Sequence, residues 1–308
     1  MTHFRYRDNG SPVHRLNPLA KVGWVLAILV LALLFNSPLY LFLLFLTTLP
    51  LVAMSRMWRE WASFMKLALI LSLLIIFVNG LVNYNGSHVL AEAPFRLPVV
   101  GTPQVTLEAL VSGVANSFRL LAIISAFAIF NLTVHPDDLL RVMLKLKMPY
   151  KSVLVTSLST RFVPTLIDDI ERITDAQKAR GLELDRGNLA QRVRNRVSIV
   201  IPLLSNCLDR TVQVAEAMEA RGFGSAQGRT SYKELTLSRF DVATLVPTIA
   251  ALAFGIFMRL DGMGKYRFYP TLDGINLSNL EWGMLACLLV ILLSISPLAA
   301  GKRRVDLG

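Results

Sequence analysis

The sequence predicts an all-α integral membrane protein, with about six membrane-embedded helices plus a cytoplasmic domain of long helices. Three observations carry this. The 308 residues are 54% hydrophobic and 17% charged, with a mean hydropathy of +0.52, too apolar for an ordinary soluble domain. Six apolar runs recur along the chain. Between the fourth and the fifth lies a charged stretch, residues 135–239, that keeps clustered apolar residues and few prolines, a helical composition.

Taken in order, the first two runs are residues 22–35 and 39–54, each shorter than the ~20 residues needed to cross ~30 Å of hydrocarbon. Asn36-Ser37-Pro38 between them suits a tight hairpin, so they read as one re-entrant pair or as two short helices. No small-residue cleavage site follows the first run, and the N-terminus does not read as a removable signal peptide. Runs at 67–82 and about 106–134 complete an N-terminal membrane module, residues 1–134; runs at 242–258 and 282–300 form a C-terminal one, residues 240–308. The long loops hold Tyr84-Asn85-Gly86-Ser87 and Leu97-Pro98, then Asp261-Gly262-Met263-Gly264 and Tyr269-Pro270, and read as connectors.

The formal net charge is +11, and a lipid-buried chain has no means of solvating it, so the charge must be segregated. Of 32 Lys and Arg, 27 fall in residues 1–21, 55–66, 135–239 and 301–308. The positive-inside rule then places these segments, and both termini, in the cytoplasm of a multi-pass protein of the cell membrane. Arg119, with Asn116 three residues before it, falls near the middle of the fourth run. An ionisable residue there is either functional or purely structural, held by a partner inside the bundle or snorkelling. Arg259, at a run's end, is expected to snorkel to the interface.

Within 135–239, Pro136-Asp137-Asp138 opens an amphipathic helix that Met148-Pro149 closes. Two longer helices follow, about 151–180 and 189–221, and they resemble each other. Pro164-Thr-Leu166 then Ile170-Glu171-Arg172 has the spacing of Pro202-Leu-Leu204 then Leu208-Asp209-Arg210. Asp175-Ala-Gln-Lys-Ala179-Arg180-Gly181-Leu182 matches Glu216-Ala-Met-Glu-Ala220-Arg221-Gly222-Phe223. A glycine just past a helix end supplies a left-handed cap, and an arginine in the last turn complements the carbonyl end. Capping alone explains one copy. Two copies, each closing a long helix within one extended pattern, point to docking by Arg180 and Arg221, whose planar five-donor forks suit a partner's carboxylates or carbonyls.

Here the chain resembles the transmembrane T component of energy-coupling factor transporters, the EcfT and CbiQ family of vitamin and metal uptake systems. Arg15-Leu-Asn-Pro18-Leu-Ala-Lys21 resembles that family's motif ahead of the first span, and the paired Ala179-Arg180-Gly181 and Ala220-Arg221-Gly222 resemble its signature. The resemblance implies that these six residues dock two ATP-binding-cassette ATPase subunits. It also implies a membrane-embedded substrate-binding S component, which chooses the vitamin or the metal, such as cobalt or nickel. Leu158, Phe162, Leu166, Ile201 and Leu204 are candidates to contact it, although most of the apolar faces of these helices should serve internal contacts. The implied mechanism is mechanical: ATP binding draws the ATPases together, both arginines move with them, and the helices reorient the S component. The loops 84–104 and 260–279 are long for a minimal member.

Enzymatic readings find little support. No Gly-x-x-x-x-Gly-Lys-Ser/Thr loop occurs; Gly262-Met-Gly264-Lys265 lacks the first glycine and the hydroxyl. Catalytic elbows, metalloprotease helices and paired intramembrane carboxylates are missing, so no catalytic residue and no cofactor are expected. Cys207 and Cys287 and four scattered histidines match no metal spacing. A classical ABC permease subunit is the nearest alternative, from Glu216-Ala217 followed by Gly222, but Ser231-Tyr232-Lys233-Glu234 stands where its loop needs an apolar-Pro pair. A secondary transporter or channel would want more intramembrane charge than Arg119. The 17 basic and 12 acidic residues of 135–239 interleave, which speaks against a nucleic-acid surface.

Overall fold

The structure, a computed structural model, describes residues 11, 13–14, 16–82, 86–92, 104–145, 148–182, 188–224, 239–269, 272 and 278–305. Arg5, Arg7, Arg15, Tyr84, Asn85, Leu97, Pro98, Pro270 and Ser231-Tyr232-Lys233-Glu234 lie outside the described residues. Two compact units divide the chain, Met1–Leu139 with Thr236–Gly308, and Leu140–Leu235.

In the first unit, α1 (Pro18–Leu34) starts where the Asn17 side chain accepts from the Leu19 N–H at 3.0 Å and Pro18 presets the first helical φ. It stops at the extended Phe35. A second proline opens α2 (Pro38–Ser55), and Arg56, left-handed at φ 56°, ends it. Then come α3 (Trp58–Val82) and α4 (Leu107–Thr133), the latter capped by Thr106, whose Oγ1 accepts from the Ala109 N–H at 3.3 Å. The last two helices of the chain, α8 (Arg239–Leu260) and α9 (Asn279–Val305), complete the unit. Helices α2, α3, α4, α8 and α9 are long and apolar enough to cross a membrane, and the apolar α1 is shorter, at 17 residues.

Between α3 and α4, β1 (Val89–Glu92) pairs antiparallel with β2 (Gln104–Thr106). This small ribbon is an addition to the helical reading. Strands this short show too little alternation to be read from a sequence. The ribbon is tied down by Glu108, fully buried, which accepts from Ser87 Oγ at 3.0 Å and from the His88 N–H at 3.1 Å.

The core of the unit gathers Ile28, Leu31 and Phe35 of α1, Leu41 of α2, Ile129 of α4, Met258 of α8 and Leu288 of α9. Small and polar residues set the remaining contacts, as expected where lipid removes the hydrophobic drive for helices to associate. A Cβ at Gly113 of α4 would lie 3.1 Å from the Ile76 backbone of α3, and Ser117 Oγ donates to the Ser72 carbonyl at 3.1 Å. Ser125 Oγ joins three helices, 2.8 Å from Thr48 Oγ1 and 3.1 Å from Trp61 Nε1. Leu67, Ile70, Leu73 and Phe77 of α3 are 59–70% exposed, a face suited to lipid tails rather than water.

The second unit is built on α6 (Tyr150–Ala179) and α7 (Leu189–Ala220), each carrying an internal proline, Pro164 and Pro202. The amphipathic α5 (Pro136–Lys145) leads the chain from the first unit into the second.

Candidate functional site

Both long helices end in the same backbone motif. The Leu182 N–H donates to Gln177 O at 3.0 Å and the Gly181 N–H to Lys178 O at 2.9 Å; the Phe223 N–H donates to Met218 O at 3.0 Å and the Gly222 N–H to Glu219 O at 2.8 Å. Gly181 at φ 88° and Gly222 at φ 71° supply the left-handed residue this closure requires. The glycines are thereby explained by capping. The arginines are not. At the end of α8 the same two bonds form, Met263 N–H to Met258 O at 2.9 Å and Gly262 N–H to Arg259 O at 3.2 Å, with Asp261 in the place that Arg180 and Arg221 occupy. Arg180 and Arg221 are exposed, and neither has a side-chain hydrogen bond or ion pair among the described residues. Ala179 and Ala220, one residue earlier, are exposed as well, so no bulk shields the guanidinium groups.

Side chains join α6 to α7 at Asp169 and at Gln177. Buried Asp169 of α6 accepts from Arg172, one turn on, and from Arg210 of α7, whose Nη2 lies 3.2 Å from Oδ2. Proline at 202 removes the N–H that would have bonded the Ser198 carbonyl, and Gln177 Nε2 of α6 reaches that carbonyl at 3.4 Å. Moving forward along α6 from Asp169 to Gln177 means moving backward along α7 from Arg210 to Ser198, so the helices run antiparallel. Arg180 lies 11 residues beyond Asp169 and Arg221 lies 11 beyond Arg210. At 1.5 Å per residue each tip stands about 16 Å from the cross-link, on opposite sides of it. The structure therefore keeps the two arginines apart, one at each end of a helical hairpin.

The remaining candidates divide. Leu158, Phe162 and Leu166 of α6 are half-buried and share a helical face with Asp169 by their spacing. Ile201 and Leu204 of α7 are exposed, at 63% and 58%, within an apolar row that runs Val193, Val197, Ile201, Leu204, Leu208, Val212.

Comparison with known proteins decides the family. A family model described as cobalt transport protein, CbiQ, matches residues 9–232. The energy-coupling factor transporter transmembrane protein EcfT of Streptococcus thermophilus is 33% identical over 263 residues, covering 82% of this chain and 96% of its own. EcfT of Lactococcus lactis subsp. cremoris is 32% identical over 253 residues, covering 80% and 92%. EcfT of Bacillus subtilis is 30% identical over 263 residues, covering 83% and 97%. The chain belongs to the CbiQ/EcfT family of energy-coupling factor transporter transmembrane components.

For this T component, the motif ahead of α1 acts as a fastening. The Asn17 N–H donates to Asp241 Oδ1 at the start of α8 at 3.0 Å, and Lys21 Nζ donates to Thr133 O at the end of α4 at 2.8 Å and to His14 O at 3.1 Å. Thr133 and Asp241 both belong to the first unit, shortly before it ends at Leu139 and shortly after it resumes at Thr236. Residues 17–21 thus tie the end of α4 to the start of α8.

Arg119 is held by four neutral acceptors among the described residues. Its Nε donates to Ala32 O at 2.9 Å, Nη1 to Asn116 Oδ1 at 3.0 Å, and Nη2 to Phe35 O and Asn36 Oδ1, both at 3.0 Å. It caps the carbonyl end of α1, where orphan acceptors and the negative end of the dipole both favour a cation. Arg259 is half-buried, with Nη1 shielded and unpartnered among the described residues. Sequence reasoning missed Asp169, Gln177 and Asp241. A carboxylate three residues before the repeated arginine, on the apolar side of its helix, was the available signal for Asp169.

Proposed function

We propose that this T component carries motion from two ABC ATPase subunits to a membrane-embedded S component during uptake of a vitamin or a transition-metal ion. Arg180 and Arg221, each framed by its alanine and glycine, dock one ATPase apiece; ATP is bound and hydrolysed there, and this chain is non-catalytic. The observation that carries this reading is the presentation of two exposed arginines, without a side-chain partner among the described residues, at opposite ends of one antiparallel hairpin, on capped ends that need no arginine for their own stability. Two separate docking points suit two ATPases that approach and part. The exposed row around Ile201 and Leu204 gives the S component an apolar seat, with Leu158, Phe162 and Leu166 supporting it from the half-buried side of α6. Residues 135–239 act as the cytoplasmic coupling segment between membrane modules 1–134 and 240–308, and both termini lie in the cytoplasm, as the distribution of Lys and Arg supports.

The test is charge reversal. R180E and R221E, alone and together, are expected to reduce ATPase co-purification from membranes, the pair abolishing it, with substrate uptake lost in parallel while the membrane fraction still contains the chain. Retention of both ATPases and of uptake by the double variant would overturn the reading.

A further inference from the structure

We propose that Asp169 is a positioning residue that fixes the separation of the two arginine tips and thereby sets how much transport each ATP yields. The inference rests on the docking reading of Arg180 and Arg221 and goes beyond it. Asp169 is 5% exposed, yet its two oxygens serve two arginines, one on each helix. Those arginines are the matching members of the internal repeat, Arg172 after Pro164 and Arg210 after Pro202. The repeat is broken at the carboxylate itself: Cys207 stands three residues before Arg210, where Asp169 stands before Arg172. One buried carboxylate therefore does for both helices what a symmetric pair would have shared.

The pair within α6 is weak as a fastening, because the Arg172 side chain is 73% exposed and water competes for it. Arg210, with its side chain 33% exposed, makes the link across the hairpin. That link sits 11 residues from each docking arginine, so it is the fulcrum of two equal arms. A small rotation at Asp169 and Arg210 displaces both tips by similar amounts in opposite directions. Gln177 on the Ser198 carbonyl, nearer the Arg180 tip, is a neutral bond and bends more easily than the charged one. Removing the charge at 169 leaves two arginines without their shared acceptor and lets the arms vary in angle.

The experiment places spin labels at the exposed positions Lys178 and Glu219, as K178C and E219C, in a chain whose native cysteines are replaced, C207S and C287S. Distance distributions are recorded first on the solubilised T component without ATPases, then on the assembled transporter. D169N, which keeps the shape, is expected to broaden the distribution in both. Substrate transported per ATP hydrolysed should fall by roughly tenfold while both ATPases still co-purify. R210Q should do the same, and the double variant should be no worse than either single one, because both remove one shared link. Should D169N fail to accumulate, R210Q tests the same link from its more exposed partner. Unchanged distances, an unchanged transport-to-hydrolysis ratio, or additive effects in the double variant would each overturn the proposal. If R180E and R221E keep their ATPases, it is the docking reading that falls; the distances without ATPases still report on Asp169.

Discussion

The Lys21 ammonium of α1 donates to the Thr133 carbonyl at the end of α4, at 2.8 Å. Its counterpart lies at the other end of the same helix pair, where Arg119 of α4 donates to the Ala32 and Phe35 carbonyls at the end of α1. Each helix lends a cation to the other's C-terminus, so in this antiparallel pair side-chain cations meet two sets of orphan carbonyls and two negative dipole ends. Lys21 is buried and Arg119 half-buried, so little water can take over if either cation is lost.

Arg119 is therefore expected to matter to stability through geometry as well as charge. R119A leaves the Ala32 and Phe35 carbonyls unpaired and should lower unfolding free energy by about 3 kcal/mol. R119K should recover only part, because one ammonium cannot span Ala32 O, Phe35 O, Asn36 and Asn116 together as the planar fork does. Thermal unfolding of purified protein in nanodiscs checks the order wild type, R119K, R119A.

K21M should cost about 2 kcal/mol by the same assay. Lys21 and Ala32 are about 16 Å apart along α1, so the two caps share no partner, and K21M with R119A should be additive within about 0.5 kcal/mol. Strong coupling between them would show that the caps act as one unit.

Gly264, at φ 68°, lies against the Phe35 ring, and a Cβ added there would collide with ring carbon Cδ1. Its carbonyl accepts the Asn36 and Ser37 N–H groups at 3.1 and 3.3 Å, fastening the turn between α1 and α2 from the loop after α8. G264A is expected to destabilise by about 2 kcal/mol through strain and collision together. Hydrogen exchange should reveal it as faster exchange at Asn36 and Ser37 while amides in α9 stay protected.

Glycines 181 and 222 should separate capping from docking. A Cβ at Gly181 meets nothing within 4 Å, so G181A suffers from its φ alone, about 1 kcal/mol, and frays the last turn. G181N should be milder, since asparagine tolerates the left-handed region. ATPase co-purification should weaken with either and persist, in contrast to its loss in R180E with R221E.

Much of this architecture was legible in the sequence because it follows from local rules. Apolar run length located the helices that became α1 to α4, α8 and α9. The repeat exposed α6 and α7 and their arginine ends, since a pattern of residue types at helical spacing is itself a one-dimensional signal. The β-ribbon escaped because its strands are too short to show a period.

What the sequence by itself determined is the fold class and the family, and it singled out Arg180 and Arg221, because a repeated pattern closing two helices is carried by neighbouring residues. Only the tertiary structure decided what the buried charges do. Arg119 reads alike as a transport residue or a structural one until α1 brings Ala32, Phe35 and Asn36 to it from more than 80 positions away. Asp169 is one acid among several until Arg210 arrives from 41 residues on. A buried charge takes its meaning from the groups that replace its water, and only folding brings those groups to it.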